Sequence, residues 1–270
     1  MDTPLNETSL DTLCGALAYA MGIEAPEHAA TANETLCHYI DEAFSGQKAD
    51  RIFMYNPDAI ALWLYQNYTH LFTDAMVCSQ LAIPMLSVMP SVTPVCFGSM
   101  YTGLMPDDHG IKKYVKPVLT VDTIFDHFIR AGKKCAIVST TGDSISEIFL
   151  NREMDYFIYD TVEEINLKAL ELIEKDRYDL LVVYNANYDG TMHKTGPEAE
   201  AAMDALKDNI WTYQRLVQAM EQHWKDHDVL YGFMPDHGCH QIDKGAGSHG
   251  LDMEEDMNII HFYGAKPRKV

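Results

Sequence analysis

Apolar residues in this chain fall into short runs separated by longer stretches with helical spacing. The runs at 51–56, 81–89, 134–140, 156–159, 179–184, 229–234 and 258–263 have the length of strands. Helical patterns lie between most of them. Leu10, Leu13, Leu17 and Met21 recur on one helical face, so residues 1–45 read as two helices. Ser45-Gly46-Gln47 makes a polar break after them. Thr161-Val162-Glu163-Glu164 has capping-box spacing ahead of an apolar-periodic run. The longest helical pattern runs from about Pro197 to Lys225. This alternation predicts an α/β fold: a doubly wound, mostly parallel sheet with helices on both faces. Functional groups of such sheets gather at the carboxyl ends of strands. The whole of 1–270 is expected to be one domain, with 1–45 as a helical extension.

Charge narrows the partners. With 40 acidic and 20 basic residues the formal net charge is -20, so the chain repels nucleic-acid polymers and anionic membranes at long range. A small anionic substrate remains compatible if cations supply local positive charge. Cys14, Cys37, Cys78, Cys96, Cys135 and Cys239 are scattered, with no C-x-x-C pair, and read as free thiols of a reducing compartment. No apolar stretch is long enough to span a bilayer and no positive leader precedes one, so a cytoplasmic location is expected. Oligomeric state is not legible.

Candidate chemistry follows the strands. Asp58 comes after the first run, where a carboxylate suits a metal ligand or, equally, a turn. Thr93 precedes a proline at an expected helix start. The bland reading is a helix cap. The sharper one is a hydroxyl facing unpaired amides and the positive end of a dipole, where an attached phosphoryl group would be stabilised. Asp189 and His193 lie four apart in what reads as a Gly-rich loop, Asp236-His237-Gly238 follows another strand, and glycines flank His249. Three carboxylates, three imidazoles and one hydroxyl suit two divalent cations. Zinc is the first choice for such ligands, with manganese or iron as alternatives. Trp63, Tyr65 and Trp211 read as helix packing, His223 and His227 as exposed helix-end residues, and Lys244 as a further residue near His249.

In this order the residues resemble the alkaline phosphatase superfamily, and especially its type I phosphodiesterase/nucleotide pyrophosphatase-like branch. The run Pro90-Ser91-Val92-Thr93 continues to Thr102-Gly103-Leu104-Met105-Pro106-Asp107-Asp108-His109-Gly110-Ile111, similar to the branch's nucleophile segment. Asp189…His193…Gly196-Pro197, Asp236-His237-Gly238 and His249 resemble its later motifs. The resemblance implies that Asp58, Asp236, His237 and Thr93 bind one metal and that Asp189, His193 and His249 bind the other. It also implies that Thr93 attacks phosphorus to give a phospho-threonine that water resolves, and that His109 is structural. The expected substrate is a small phosphorus-containing anion: a phosphodiester, nucleotide pyrophosphate or monoester.

Some positions depart from the branch. Tyr114, flanked by Lys112 and Lys113, stands where many relatives place a phosphoryl-binding Asn, so these three are the candidate substrate contacts. Cys96 replaces another Asn. His249 follows His237 by a short interval, as in the phosphomutase branches, but the chain has no room for their large cap domain. The alternatives are therefore a phosphonate hydrolase or phosphomutase of the same superfamily, or a catalytically silent metal-binding interaction module.

Overall fold

All seven predicted strands form. In the computed structural model, which describes residues 4–269 without the side chain of Lys244, they are β1 (Arg51–Pro57), β2 (Leu81–Leu86), β3 (Cys135–Thr140), β4 (Asp155–Tyr159), β5 (Leu180–Asn185) and β6 (Val229–Phe233). A short hairpin, β7 (His240–Ile242) and β8 (Ala246–Ser248), precedes the seventh, β9 (Asn258–Lys266). The large sheet has the order β2-β9-β6-β1-β5-β3-β4. β9 is antiparallel to both of its neighbours; the other pairings are parallel. The doubly wound, mostly parallel α/β expectation is borne out, and no large cap interrupts the described residues.

The helices are α1 (Thr12–Met21), α2 (Glu34–Ala43), α3 (Leu62–Asn67), α4 (Thr73–Cys78), α5 (Thr93–Thr102), α6 (Pro106–His109), α7 (Ile124–Arg130), α8 (Ser144–Ile148), α9 (Val162–Lys175), α10 (Asn187–Thr195), α11 (Glu200–His223) and α12 (Glu254–Met257). Alternate strand residues feed two cores, as the period of two requires. Ile52, Met54, Leu180 and Val182 point into one, with α1, α2, α5, α7 and α8. Phe53, Tyr55, Leu181 and Val183 point into the other, with α3, α4, α9 and α11. Leu10, Leu13 and Leu17 of the N-terminal segment are buried in the first core beside Phe97 and Tyr101 of α5.

Two local readings are worth physical comment. Thr161 caps α9: its Oγ1 accepts from the Glu164 N–H (3.3 Å), and Glu164 Oε2 accepts from the Thr161 N–H (3.2 Å). Thr161→Ala is expected to cost about 1 kcal/mol, read as a Tm lowered by roughly 2–4 °C; an unchanged melting curve would remove the box from the stability account. Trp211 corrects the packing expectation. The buried stripe of α11 runs through Leu206, Ile210, Tyr213, Val217 and Met220. Trp211 falls off that stripe, is 52% exposed, and carries the Arg215 guanidinium 4.5 Å from its ring centre.

Candidate metal centre

Sheet order explains why distant residues meet. β6, β1 and β5 are adjacent, with Tyr55 opposite Phe233 and Pro57 opposite Asn185. Their carboxyl ends therefore deliver Asp236-His237, Asp58 and the start of α10 to one place; Asp189 and His193 lie on this helix, not in the expected loop, one turn apart on the same face. The ends are tied together by buried amides. Asn56 Nδ2 donates to the Met234 carbonyl (2.8 Å). Asn185 Oδ1 accepts from the Asn187 N–H (2.9 Å), and its carbonyl accepts from the Asp58 N–H (3.0 Å). Ser87 Oγ, at the end of β2, donates to the Asp236 carbonyl (2.7 Å).

Two ligand clusters result: Asp58, Asp236 and His237, all buried, and Asp189, His193 and His249, more open. In the first, His237 Nε2 lies 3.3 Å from Asp58 Oδ1 and 3.4 Å from Asp236 Oδ2. Thr93 Oγ1 lies 3.3 Å from both Asp58 Oδ2 and His237 Nε2. In the second, Asp189 Oδ1 is 3.2 Å from His193 Nε2 and 3.4 Å from His249 Nε2, and the two Nε2 atoms are 3.2 Å apart. The stacked rings of His237 and His249, 4.0 Å between centroids, join the clusters.

The donor set fits divalent cations on three counts. A tetrahedron with bonds of about 2.0 Å has edges of about 3.3 Å, which is the separation found within each cluster. Each imidazole gives its Nδ1–H to a carbonyl: His193 to Gly247 (3.0 Å), His237 to Gly238 (2.9 Å) and His249 to Ser91 (2.9 Å). A carbonyl can only accept, so in the neutral form of each ring Nε2 carries the lone pair, turned toward the cluster. Finally, Asp58 Oδ1, Asp189 Oδ1 and Asp236 Oδ2 are buried without a hydrogen-bond donor, a costly state that a cation relieves.

The electrostatics agree. Burial lifts the Asp236 carboxyl well above its usual range, and the charge of Asp58 adds to this. Burial and then Asp189 raise Asp58. Burial also acts to raise Asp189, but the neighbouring His193 and His249 bring it below its usual range. The partnership with Asp189 moves His193 up to about 9.

Thr93 does not cap α5: it is the first residue of the helix, after Val92, and no side-chain cap is made. Nor do several free amides face it. The Val95 and Cys96 N–H groups both donate to the Val92 carbonyl (3.0 Å each), and Pro94 has none. The hydroxyl instead faces Asp58 and His237. Near it, Tyr184 donates a hydrogen bond to Asp58 Oδ2; the sequence offers no signal for this, because Tyr184 ends an apolar run that reads as core.

His249 arrives by the β7–β8 hairpin, which the sequence reading missed. The turn holds Gly245 at φ +73°, and a Cβ on Gly247 would meet Met192 Sδ at 2.5 Å, so only glycine lets the hairpin lie on α10. Tyr114, Lys112 and Lys113 are not brought into hydrogen-bond or ion-pair contact with either cluster. All three are exposed, and Lys112 pairs with Asp107 (2.5 Å). His109 is buried, its Nε2 3.1 Å from Ser99 Oγ, and a Cβ on Gly98 would come within 2.7 Å of its ring. His227, read as an exposed helix-end residue, lies beyond α11 and bridges Asp50 (2.8 Å) and Asp176 (2.9 Å).

The central seven-stranded sheet and its helices match the fold of solved members of the alkaline phosphatase superfamily. Within it, the likeness to the type I phosphodiesterase/nucleotide pyrophosphatase family is borne out: residues 56–126 match that family's sequence profile. Among solved structures, murine ectonucleotide pyrophosphatase/phosphodiesterase 5 is similar at 19% identity and a TM-score of 0.57, over 72% of this chain and 58% of that one. The human protein of that name gives 13% identity and 0.60, over 79% and 87%. Phosphonoacetate hydrolase from Sinorhizobium meliloti 1021, in complex with phosphonoformate, gives 16% and 0.53, over 73% and 59%. The chain thus spans under two thirds of the murine and bacterial proteins. No curated protein matches its sequence.

Proposed function

We propose that this protein is a phosphohydrolase that cleaves a small phosphate ester through a covalent intermediate on Thr93. The observation that carries the reading is the pair of clusters, with three Nε2 atoms and three unsatisfied carboxylate oxygens, and the Thr93 hydroxyl set against the buried one. Asp58, Asp236, His237 and Thr93 would hold one divalent cation and Asp189, His193 and His249 the other, with zinc favoured by the ligand types. When bound, such cations neutralise phosphoryl oxygens and lower the pKa of a ligated hydroxyl.

The protein's own part is then positional. Thr93 Oγ1 loses its proton and forms a bond to phosphorus while the ester oxygen leaves with its electron pair and takes up a proton. Water then adds to the same phosphorus, the Thr93–phosphorus bond breaks, and a proton from that water restores the hydroxyl. Thr93, at the start of α5, lies 3.3 Å from Asp58 and His237, which follow β1 and β6. The likeness to a phosphonoacetate hydrolase supports a second reading, hydrolysis of a phosphonate. One domain with an N-terminal helical extension, and a reducing compartment, are consistent with the packing of α1 and the six free thiols. Among the described residues no helix is long and apolar enough to cross a membrane.

Metal content and turnover of bis-p-nitrophenyl phosphate, p-nitrophenyl phosphate and phosphonoacetate test this. Two cations per chain and turnover of an ester support the reading. Turnover of phosphonoacetate alone selects the phosphonate reading, and two cations without any turnover would favour a binding module. His249→Ala is expected to leave one cation per chain, since it opens only the more exposed cluster. A content still near two by elemental analysis would remove His249 from the ligand set.

A further inference from the structure

We infer that Tyr184 is a positioning residue for Asp58: its phenol fixes which carboxylate oxygen faces Thr93 and which faces His237. The inference rests on the two-cation reading and goes beyond the ligand set. Tyr184 is on β5 opposite Asn56 of β1, two residues from Asp58. Its ring is held edge-on to Phe97, centroids 5.5 Å apart at 84°, and only 3% of the residue is exposed. From this fixed seat the hydroxyl donates to Asp58 Oδ2.

That bond makes the two carboxylate oxygens unequal. Oδ2 accepts from Tyr184 and lies 3.3 Å from the Thr93 hydroxyl. Oδ1 accepts nothing and lies 3.3 Å from His237 Nε2. A carboxylate with one oxygen occupied by a strong donor presents the other to a cation, and the donor also stops it from rotating. Without the phenol, Oδ2 has only the Thr93 hydroxyl as a donor. That contact would then hold the proton the nucleophile must lose, and Asp58 would be free to turn. Asp189 has no such phenol: histidines flank its Oδ1, so the effect belongs to one cluster only.

The test is stepwise titration of metal-free protein with Zn²⁺ by calorimetry, and with Co²⁺ by visible absorption, on wild type and Tyr184→Phe. One of the two binding steps is expected to weaken about 10–100-fold, with the other step unchanged. The cobalt bands of one site should shift, and kcat should fall with KM nearly constant. Equal weakening of both steps, or no change in either, would overturn the assignment. If Tyr184→Phe does not fold, 3,5-difluorotyrosine introduced at position 184 keeps the shape and strengthens the donor. It must shift one set of cobalt bands, and an unchanged spectrum rejects the proposal. A wild type that binds no cation refutes the two-cation reading itself, a result distinct from two normal steps that ignore Tyr184.

Discussion

Thr93→Ala is expected to reduce turnover of an aryl phosphate ester by about 10⁴-fold or more, the scale on which enzymes lose rate when a covalent nucleophile is removed. The argument is geometric. Among the described residues, Thr93 supplies the aliphatic hydroxyl within 3.3 Å of ligand atoms in the buried cluster. Tyr184 also touches Asp58, but burial and the charge of Asp58 push its phenol well above the usual range, so it stays a neutral donor. Both cations should survive the substitution, because Asp58, Asp236 and His237 remain for one and the other cluster is untouched. Thr93→Ser, which restores an oxygen at the same place, should recover a large part of the rate. With bis-p-nitrophenyl phosphate or p-nitrophenyl phosphate, whichever the wild type prefers, an alanine variant within tenfold of wild type would mean that water attacks phosphorus directly. Trapping of radiolabelled phosphate on wild type but not on the variant would identify the intermediate as covalent.

How much of this was visible beforehand depends on what each residue owes to its neighbours. The strands were legible because each is an apolar run bounded by turn residues, and a run such as Leu180 to Tyr184 can hardly do anything else. Asp58, Asp236 and His237 were legible because parallel sheets deliver polar groups at strand ends, and the order of β6, β1 and β5 then does the rest. The hairpin of β7 and β8 was not. Three-residue strands have no periodicity to read, and their pairing is decided by how Gly247 packs on Met192. Tyr184 was hidden for the opposite reason: a phenol in an apolar run looks like core, and only the tertiary structure turns its hydroxyl onto Asp58. Tyr114, Lys112 and Lys113 were named for their place in a motif and for what a phenol or an ammonium can offer a phosphoryl oxygen. In the fold they sit exposed on the segment after α6, away from contact with either cluster. The helix-start argument for Thr93 needs another basis, since the Val92 carbonyl already takes two of the amides it invoked.

The ligand clusters should also set the stability of the protein, and with opposite signs in the two metal states. Asp58 and Asp236 are both fully buried, with an oxygen each that accepts no hydrogen bond. Burial makes each carboxylate costly to charge; Asp189 adds to the cost for Asp58, and Asp58 adds to the cost for Asp236. The metal-free fold therefore carries an unfavourable contribution that bound cations remove. Asp236→Asn is expected to stabilise the metal-free protein by roughly 1–3 kcal/mol, the scale of relieving a buried unsatisfied group. Its amide oxygen can still accept from the Ala59 N–H, which now reaches Asp236 Oδ1 at 3.3 Å. Its amide nitrogen becomes a donor facing His237 and, through it, the Asp58 side. In wild type, saturating Zn²⁺ should raise the melting temperature strongly, since a ligand at about 1,000 times its Kd adds about 4 kcal/mol per site. In Asp236→Asn that rise should fall to the contribution of the Asp189, His193 and His249 cluster alone. Melting curves of both proteins, stripped with chelator and then reloaded, decide the matter. An asparagine variant less stable than wild type in the stripped state would mean that Asp236 is held by contacts the fold needs, and that the cluster is structural rather than built for a cation.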